Sequence, residues 1–277
     1  MDNKSLRILL TSDMHCTDLM DWYGVRDADR QQAWVDAVLA EHAKQPFDAI
    51  IIAGDISLDY HDKKTPYDKG HSTGLVFMQQ FFSQLPGLPH FILAGNHEEF
   101  SHEDWLALVG NERQGEITLG MDTFLCLDNF REDLGPVYDS SDKYSPMDMD
   151  FIRKVMAKYP DNRFWLVSHY FDLAQESDEF RALLATDSRI KGLFMGHTHK
   201  NTLIELGEDY QNLVIAQTGN FSYTCGELMR DFWGLRDLCI TEDGAISRYI
   251  LPESHIFPGG KETVIPAAVR DEVAYRF

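Results

Sequence analysis

Residues His90-Phe91-Ile92-Leu93-Ala94-Gly95-Asn96-His97-Glu98 decide how this chain is read. The run through Ala94 reads as a buried strand, and Gly95-Asn96-His97-Glu98 stands at its end. Four other short blocks share this build: Asp13-Met14-His15, Gly54-Asp55, Ser168-His169 and Gly196-His197-Thr198-His199. Each lies just past an apolar run: Ile8-Leu9-Leu10, Ala49-Ile50-Ile51-Ile52-Ala53, Phe164-Trp165-Leu166-Val167 and Leu193-Phe194-Met195. Five strand ends thus carry Asp, Asn or His. In open α/β sheets, sites form outside the carboxyl ends of the strands. If these strands share that edge, their side chains converge on one place.

The chain of 277 residues is ample for a sizeable core, and its 44% hydrophobic content is that of a globular protein. No run approaches the roughly 20 apolar residues of a membrane helix. The apolar run after Arg7 is too short and too soon charged for a secretory signal, so a cytoplasmic location with no membrane partner is expected. The formal net charge of -20 repels nucleic-acid backbones, and no Lys/Arg cluster offsets it, so no nucleic-acid partner is expected. Cys16, Cys126, Cys225 and Cys239 are far apart and include no Cys-x-x-Cys, which argues against a zinc ribbon or a thioredoxin motif. A homo-oligomer is compatible with this composition.

The pattern places strands over 6–12 and 48–53, separated by a helix over 28–43 with Ala33, Trp34, Ala37, Val38 and Ala40 at helical spacing. Residues 59–71 have no apolar periodicity. A loop of this length is often functional. Coming directly after Asp55, it reads as a lid that touches substrate through Tyr60, His61, Tyr67 or His71, or as plain surface. A helix over 73–85 follows, with Leu75, Phe77, Met78, Phe81, Phe82 and Leu85 inward. Ser101 with Asp104 resembles a capping box opening a short helix. A strand over 121–127 precedes a helix starting at Ser145-Pro146 and running to about Tyr159. Strands at 163–168 and 190–195 flank a helix near 177–185. Shorter strands follow at 202–206, 212–217, 232–241 and 245–251, with Asp243-Gly244 as a hairpin turn. One domain over 1–277 is expected, with its motif-bearing core at 6–200 and a β-rich part at 201–251.

The blocks offer Asp13, His15, Asp55, Asn96, His97, His169, His197 and His199. One buried histidine at a strand end is ordinary. Five of the chain's eleven, with two Asp and an Asn, are hard to satisfy except by cations. Imidazole and carboxylate donors without thiolate suit Mn, Fe, Zn, Ni or Co. One ion needs three or four protein ligands, so this number argues for two. Two ions about 3.5–4 Å apart serve in-line displacement at phosphorus: one activates water, and both stabilise the attacking and leaving oxygens. His197 and His199 face one way on an extended strand, but diverge toward two ions if the backbone turns.

Asp-x-His, Gly-Asp, Gly-Asn-His-Glu, a single His after a strand and Gly-His-x-His, in this order over residues 13 to 199, resemble the calcineurin-like metallophosphoesterase superfamily. The resemblance implies an α/β fold, a four-layer α/β/β/α sandwich of two mixed sheets flanked by helices. It implies that Asp13, His15 and His199 hold one metal and that Asn96, His169 and His197 hold the other. Asp55 bridges them, with a hydroxide that attacks phosphorus in line. His97 contacts the phosphate or protonates the leaving group, and Glu98 orients His97. Asn96 and His97 also count as substrate contacts. Leu58 stands where many members carry Asp or Asn, and the Asp-Arg-Gly of protein Ser/Thr phosphatases is missing. What remains resembles the small bacterial-type phosphohydrolases.

The function expected is that of a dinuclear metal-dependent hydrolase of phosphate esters. A small-molecule phosphodiesterase of the cyclic-nucleotide or glycerophosphodiester kind is favoured, because no Arg clamp for a dianionic phosphate is evident. Arg26, Arg30, Arg131 and Arg230 are the residues that could fold inward to form one. The alternatives are a phosphomonoesterase or nucleotide pyrophosphohydrolase of the same fold. A non-enzymatic scaffold is disfavoured because no ligand of the set is lost.

Overall fold

The computed structural model describes residues 5–18, 25–59, 72–98, 100–130, 144–222, 233–251 and 272–277. Two six-stranded mixed sheets form the molecule's centre. The first is built on three parallel strands: β1 (Leu6–Thr11), β2 (Ala49–Ala53) and β3 (His90–Leu93). The second contains the antiparallel pair β4 (Gly115–Leu119) and β5 (Asp122–Leu127), then β6 (Arg163–Ser168) and β7 (Ile190–Met195), parallel to β5. The strands β8 (Leu203–Glu205) and β9 (Val214–Gln217) extend it past β7. The remaining strands, β10 (Leu235–Ile240), β11 (Gly244–Ile250) and β12 (Glu272–Arg276), pair antiparallel onto the free side of β1. The C-terminal strands therefore complete both sheets.

Side-chain alternation along the strands decides the layers. Ile8, Leu10, Ile51 and Leu93 of the first sheet pack against Phe124, Cys126, Trp165, Val167 and Phe194 of the second. Leu9, Ile50, Ile52 and Ile92 point the other way, onto Trp34, Val35 and Val38 of α1 (Asp27–Lys44) and onto Trp105 and Leu108 of α3 (His102–Val109). Between these helices lies α2 (Thr73–Val76), continued by a π-helical turn over Phe77–Phe81 and a 3₁₀ turn over Phe82–Gln84. On the outside of the second sheet, Leu125, Leu166 and Leu193 meet Ile152 and Val155 of α4 (Met149–Lys158) and Phe180 and Leu184 of α5 (Asp178–Thr186). The result is the expected four-layer α/β/β/α sandwich. No described helix is long and apolar enough to cross a membrane.

Several local expectations shift. Helix α4 begins at Asp148, whose side chain accepts the Phe151 N–H at 3.0 Å, and Ser145-Pro146 precedes it as irregular chain. The helix over 73–85 is one continuous helical run, but widens by a π turn where Phe77 and Phe81 both turn inward. On α1 the buried face is Arg30, Gln31, Trp34, Val35 and Val38, whereas Ala40 is exposed. Strand β4 was not legible because Ile117 is its only buried residue. The strand expected over 232–241 begins at Leu235. Strand β12 lies in a tail whose pattern suggests no structure.

Trp165 is fully buried between the sheets, stacked on Phe124 at 6.2 Å and edge-on to Tyr275 at 5.1 Å, and its indole N–H donates to Asp122 at 2.9 Å. Trp165→Ala is expected to destabilise the fold by about 3–5 kcal/mol in urea denaturation, because a cavity opens where the sheets meet. A loss below about 1 kcal/mol would show that the sheets do not close on this side chain.

Candidate metal centre

Beyond β1 and β2 the two chains stay zipped together. Asp13 N–H donates to Gly54 O at 3.0 Å, His15 N–H to Asp55 O at 3.0 Å and Cys16 N–H to Ile56 O at 2.9 Å. Within these turns Asp13, His15 and Asp55 adopt positive φ, as do His197 and His199 beyond β7. The left-handed region costs a non-glycine residue roughly 1–2 kcal/mol. Of the seven non-glycine residues with positive φ among those described, five are donors at one site; the other two are Gln211 and Asn212. The turns curl each strand end so that its polar side chain bends back over the sheet edge. Gly54 has φ +88°, and a Cβ there would strike the His169 ring and the Gly95 Cα. A Cβ on Gly95 would strike the Asp55 carboxylate. Only glycine lets the ends of β2 and β3 approach this closely.

The side chains from both sheets meet in two groups. In the first, His15 Nε2 and His199 Nε2 face each other at 3.0 Å. Asp13 Oδ1 stands 3.6 Å from His15 Nε2 and 3.3 Å from His199 Nε2. In the second, Asn96 Oδ1 lies 3.0 Å from His169 Nε2 and 2.9 Å from His197 Nδ1. Asp55 Oδ2 belongs to both, 3.5 Å from His15 Nε2 and 3.2 Å from His169 Nε2. The turn at 197–199 therefore sends its two histidines to different groups. Asp13, His15, Asp55, Asn96, His169 and His199 are all buried, whereas His97 and His197 are half-buried.

The hydrogen bonds around this cluster leave its donor atoms facing inward. His169 Nδ1 donates to Ala53 O at 2.7 Å, which turns Nε2 toward Asp55 and ties the second sheet to the first. Asp13 Oδ2 takes the Ser12 hydroxyl and the His197 N–H, the latter at 3.0 Å, while the buried Oδ1 has no hydrogen-bond partner among the described residues. Asp55 Oδ1 takes the His97 N–H at 3.0 Å, which leaves Oδ2 to the histidines. Carboxylate oxygens and imidazole nitrogens crowded this closely fit metal ions. The sets Asp13, His15 and His199, and Asp13, Asp55 and His169, each have ligand atoms close enough to hold one; so do His15, Asp55 and His97.

A family model of calcineurin-like phosphoesterases matches residues 6–201, the span that carries every one of these donors. The chain belongs to that family. It is a metal-dependent phosphoester hydrolase that takes divalent metal ions. Among solved structures, a dimetal phosphatase from Danio rerio is similar at 13% identity and a TM-score of 0.66, over 90% of this chain and 97% of that one. GAP50, described as the anchor in the inner membrane complex of Plasmodium, is similar at 11% identity and a TM-score of 0.55, over 93% and 86%. At these identities both likenesses concern the fold. No curated protein matches the chain.

The electrostatics of this phosphoesterase centre follow from burial set against charge. Burial would raise the Asp13 carboxyl, but His199 and His15 outweigh it and hold it well below the usual carboxylate range. Asp55 is held low in the same way, against burial, by His169 and His97. Burial lowers His15 to about 3 and His197 to about 4, which keeps both as neutral imidazole, the form that ligates metals. Burial also lowers His169, but the Asp55 carboxylate more than reverses this and raises it to about 9. A cation held there by His169 and Asp55 would take the place of that proton.

Glu98 does something other than its sequence position suggests. Its oxygens accept the backbone N–H groups of Asp55 at 2.8 Å, Gly95 at 2.7 Å and Ser57 at 2.9 Å, so the carboxylate is taken up by backbone and does not orient the His97 ring. Burial and the Asp55 charge push Glu98 up to about 8, against the N–H groups that favour its ionised form. Arg30, one of the arginines considered for a phosphate clamp, is fully buried. It donates to the carbonyls of Met14, Phe221 and His15 and to Asp27. It braces the loop that carries Asp13 and His15. Arg26 is exposed and pairs with Asp29. Arg131 and Arg230 lie outside the described residues, as do Tyr60, His61, Tyr67 and His71 and so the lid reading. Asp59 caps the helical run at Thr73, accepting its N–H at 2.6 Å. The sequence reading missed the end of β5, where Asn129 bonds Ser168 and Tyr170 and the Phe130 ring meets His169 edge-on at 5.7 Å. A strand followed by Asp128-Asn129-Phe130 was a signal of the same kind as the other five.

Glu98→Gln is expected to lower the affinity for both ions by roughly 10–100-fold, because one amide oxygen cannot accept three N–H groups and the amide NH₂ faces donors. Metal titration of the apoprotein reads this. Unchanged affinity would mean that Glu98 is not what holds the two turns together.

Proposed function

We propose that this phosphoesterase hydrolyses small phosphate diesters at a two-metal centre. Asp13, His15 and His199 would hold one ion, and Asn96, His169 and His197 the other. The observation that carries this is the single oxygen Asp55 Oδ2, close to His15 at 3.5 Å in one group and to His169 at 3.2 Å in the other. A carboxylate so placed serves two cations and reduces their mutual repulsion. Donors of imidazole, carboxylate and amide type without thiolate suit Mn, Fe, Zn, Ni or Co. Bound there, the ions supply Lewis-acid stabilisation of phosphate oxygens and a water made more acidic.

The chain's own groups do the rest. His97 stands at the opening, its side chain 26% exposed and its Nε2 4.0 Å from Asp55 Oδ2. Asp55 fixes its backbone N–H, so the imidazole is carried beside the centre at the exposed edge. From there it can donate a proton to the oxygen of the departing alcohol. The diester preference is supported by Arg30, which lies beside the centre but has its guanidinium on backbone carbonyls and Asp27 rather than toward a dianionic phosphate.

Turnover of bis-p-nitrophenyl phosphate and p-nitrophenyl phosphate by the Mn-loaded enzyme tests the substrate class. The diester is expected to be the better substrate by kcat/KM, and a strong preference for the monoester overturns the reading. Asp55→Asn is expected to weaken both ions; elemental analysis showing two tightly held ions contradicts the shared carboxylate. His97→Ala is expected to keep both ions and lower kcat by about 10²–10⁴-fold on alkyl leaving groups, with a smaller loss on p-nitrophenolate, which needs less protonation. Loss of an ion in that variant places His97 among the ligands, with His15 and Asp55 as its neighbours.

A further inference from the structure

Exposure is uneven around the centre. Six of the donor residues are buried, while His97, His197 and Tyr170 are half-buried. These three lie at the exposed edge of the centre. Tyr170 follows His169 directly, and its ring centroid lies 4.5 Å from that of His197. Its half-buried ring thus packs on the outermost of the imidazoles that face Asn96.

The phenol is held in place. Tyr144 meets it edge-on at 6.0 Å. The Tyr170 carbonyl accepts from Asn129 Nδ2 at 2.7 Å, and Asn129 in turn accepts from Ser168 Oγ at 3.1 Å. The two tyrosines differ in their hydroxyls. That of Tyr144 donates to the buried Glu176 and accepts the Asp172 N–H at 3.3 Å. That of Tyr170 has no hydrogen-bond partner among the described residues. A fixed ring at the entrance thus presents a neutral group that both donates and accepts. Such a group can pair with a hydroxyl on the substrate in both directions, and a net charge of -20 disfavours a further phosphate there.

We propose that Tyr170 determines specificity by hydrogen-bonding a hydroxyl-bearing arm of the diester, of the glycerol or pentose kind. This rests on the diester reading above and deepens it. Two diesters with one leaving group test it: glyceryl p-nitrophenyl phosphate and ethyl p-nitrophenyl phosphate, each with the Mn-loaded enzyme and its Tyr170→Phe variant. The variant is expected to keep two ions and the wild-type kcat. Its KM is expected to rise roughly 3–10-fold for the glyceryl ester, the worth of one neutral hydrogen bond, and to stay unchanged for the ethyl ester. An equal rise on both esters, or none on either, overturns the proposal. Loss of an ion from the variant also overturns it, since Tyr170 would then act by holding His197. If the wild-type enzyme turns over monoesters but neither diester, the diester reading itself fails and takes this proposal with it. Wild-type diester turnover with an arm-independent effect of Tyr170→Phe sinks the proposal alone.

Discussion

Asp55 is gripped from every side, and the arrangement of the centre depends on that grip. Its backbone N–H is bound by Glu98, its carbonyl by His15, its Oδ1 by the His97 N–H, and its Oδ2 faces His15 and His169. The ends of β1, β2 and β3 thereby become one rigid piece. His169 then ties the second sheet to it through the Ala53 carbonyl. A buried carboxylate among buried histidines is costly unless positive charge compensates it. The Asp55 charge favours a proton on His169, and ions bound there would supply the compensation in its place.

Backbone strain tells the same story. Positive φ at Asp13, His15, Asp55, His197 and His199 would be selected against in a chain that needed only a stable sandwich. The fold can carry it because the layers beneath are well packed, with Trp34, Trp105 and Trp165 all fully buried. Metal binding draws further on the same turns, so ions and fold are linked: what binds the native state alone stabilises it.

The likeness to both a phosphatase and an anchor protein shows why the sandwich by itself assigns no chemistry. The distinction rests on side chains at the sheet edge. Here the donors converge from both sheets, and the glycines that permit their approach are in place.

The sequence by itself determined the principal strands and the donor set, because each is written in short-range pattern, whereas the layered sandwich was implied only by the resemblance those motifs carry. Continuous apolar runs mark strands covered on both faces, and a polar block at the end of each marks the edge they share. The end of β5 escaped because Asn129 and Phe130 act through Ser168, Tyr170 and His169, neighbours that only the pairing of β5 with β6 supplies. Tertiary structure alone decided that Glu98 binds backbone rather than His97, since its partners come from two strand ends about forty residues apart in the chain. It alone decided that Arg30 braces a loop. Left-handed turns have little signature in residues other than glycine, and which way a side chain leaves such a turn depends on what the neighbouring strand presents.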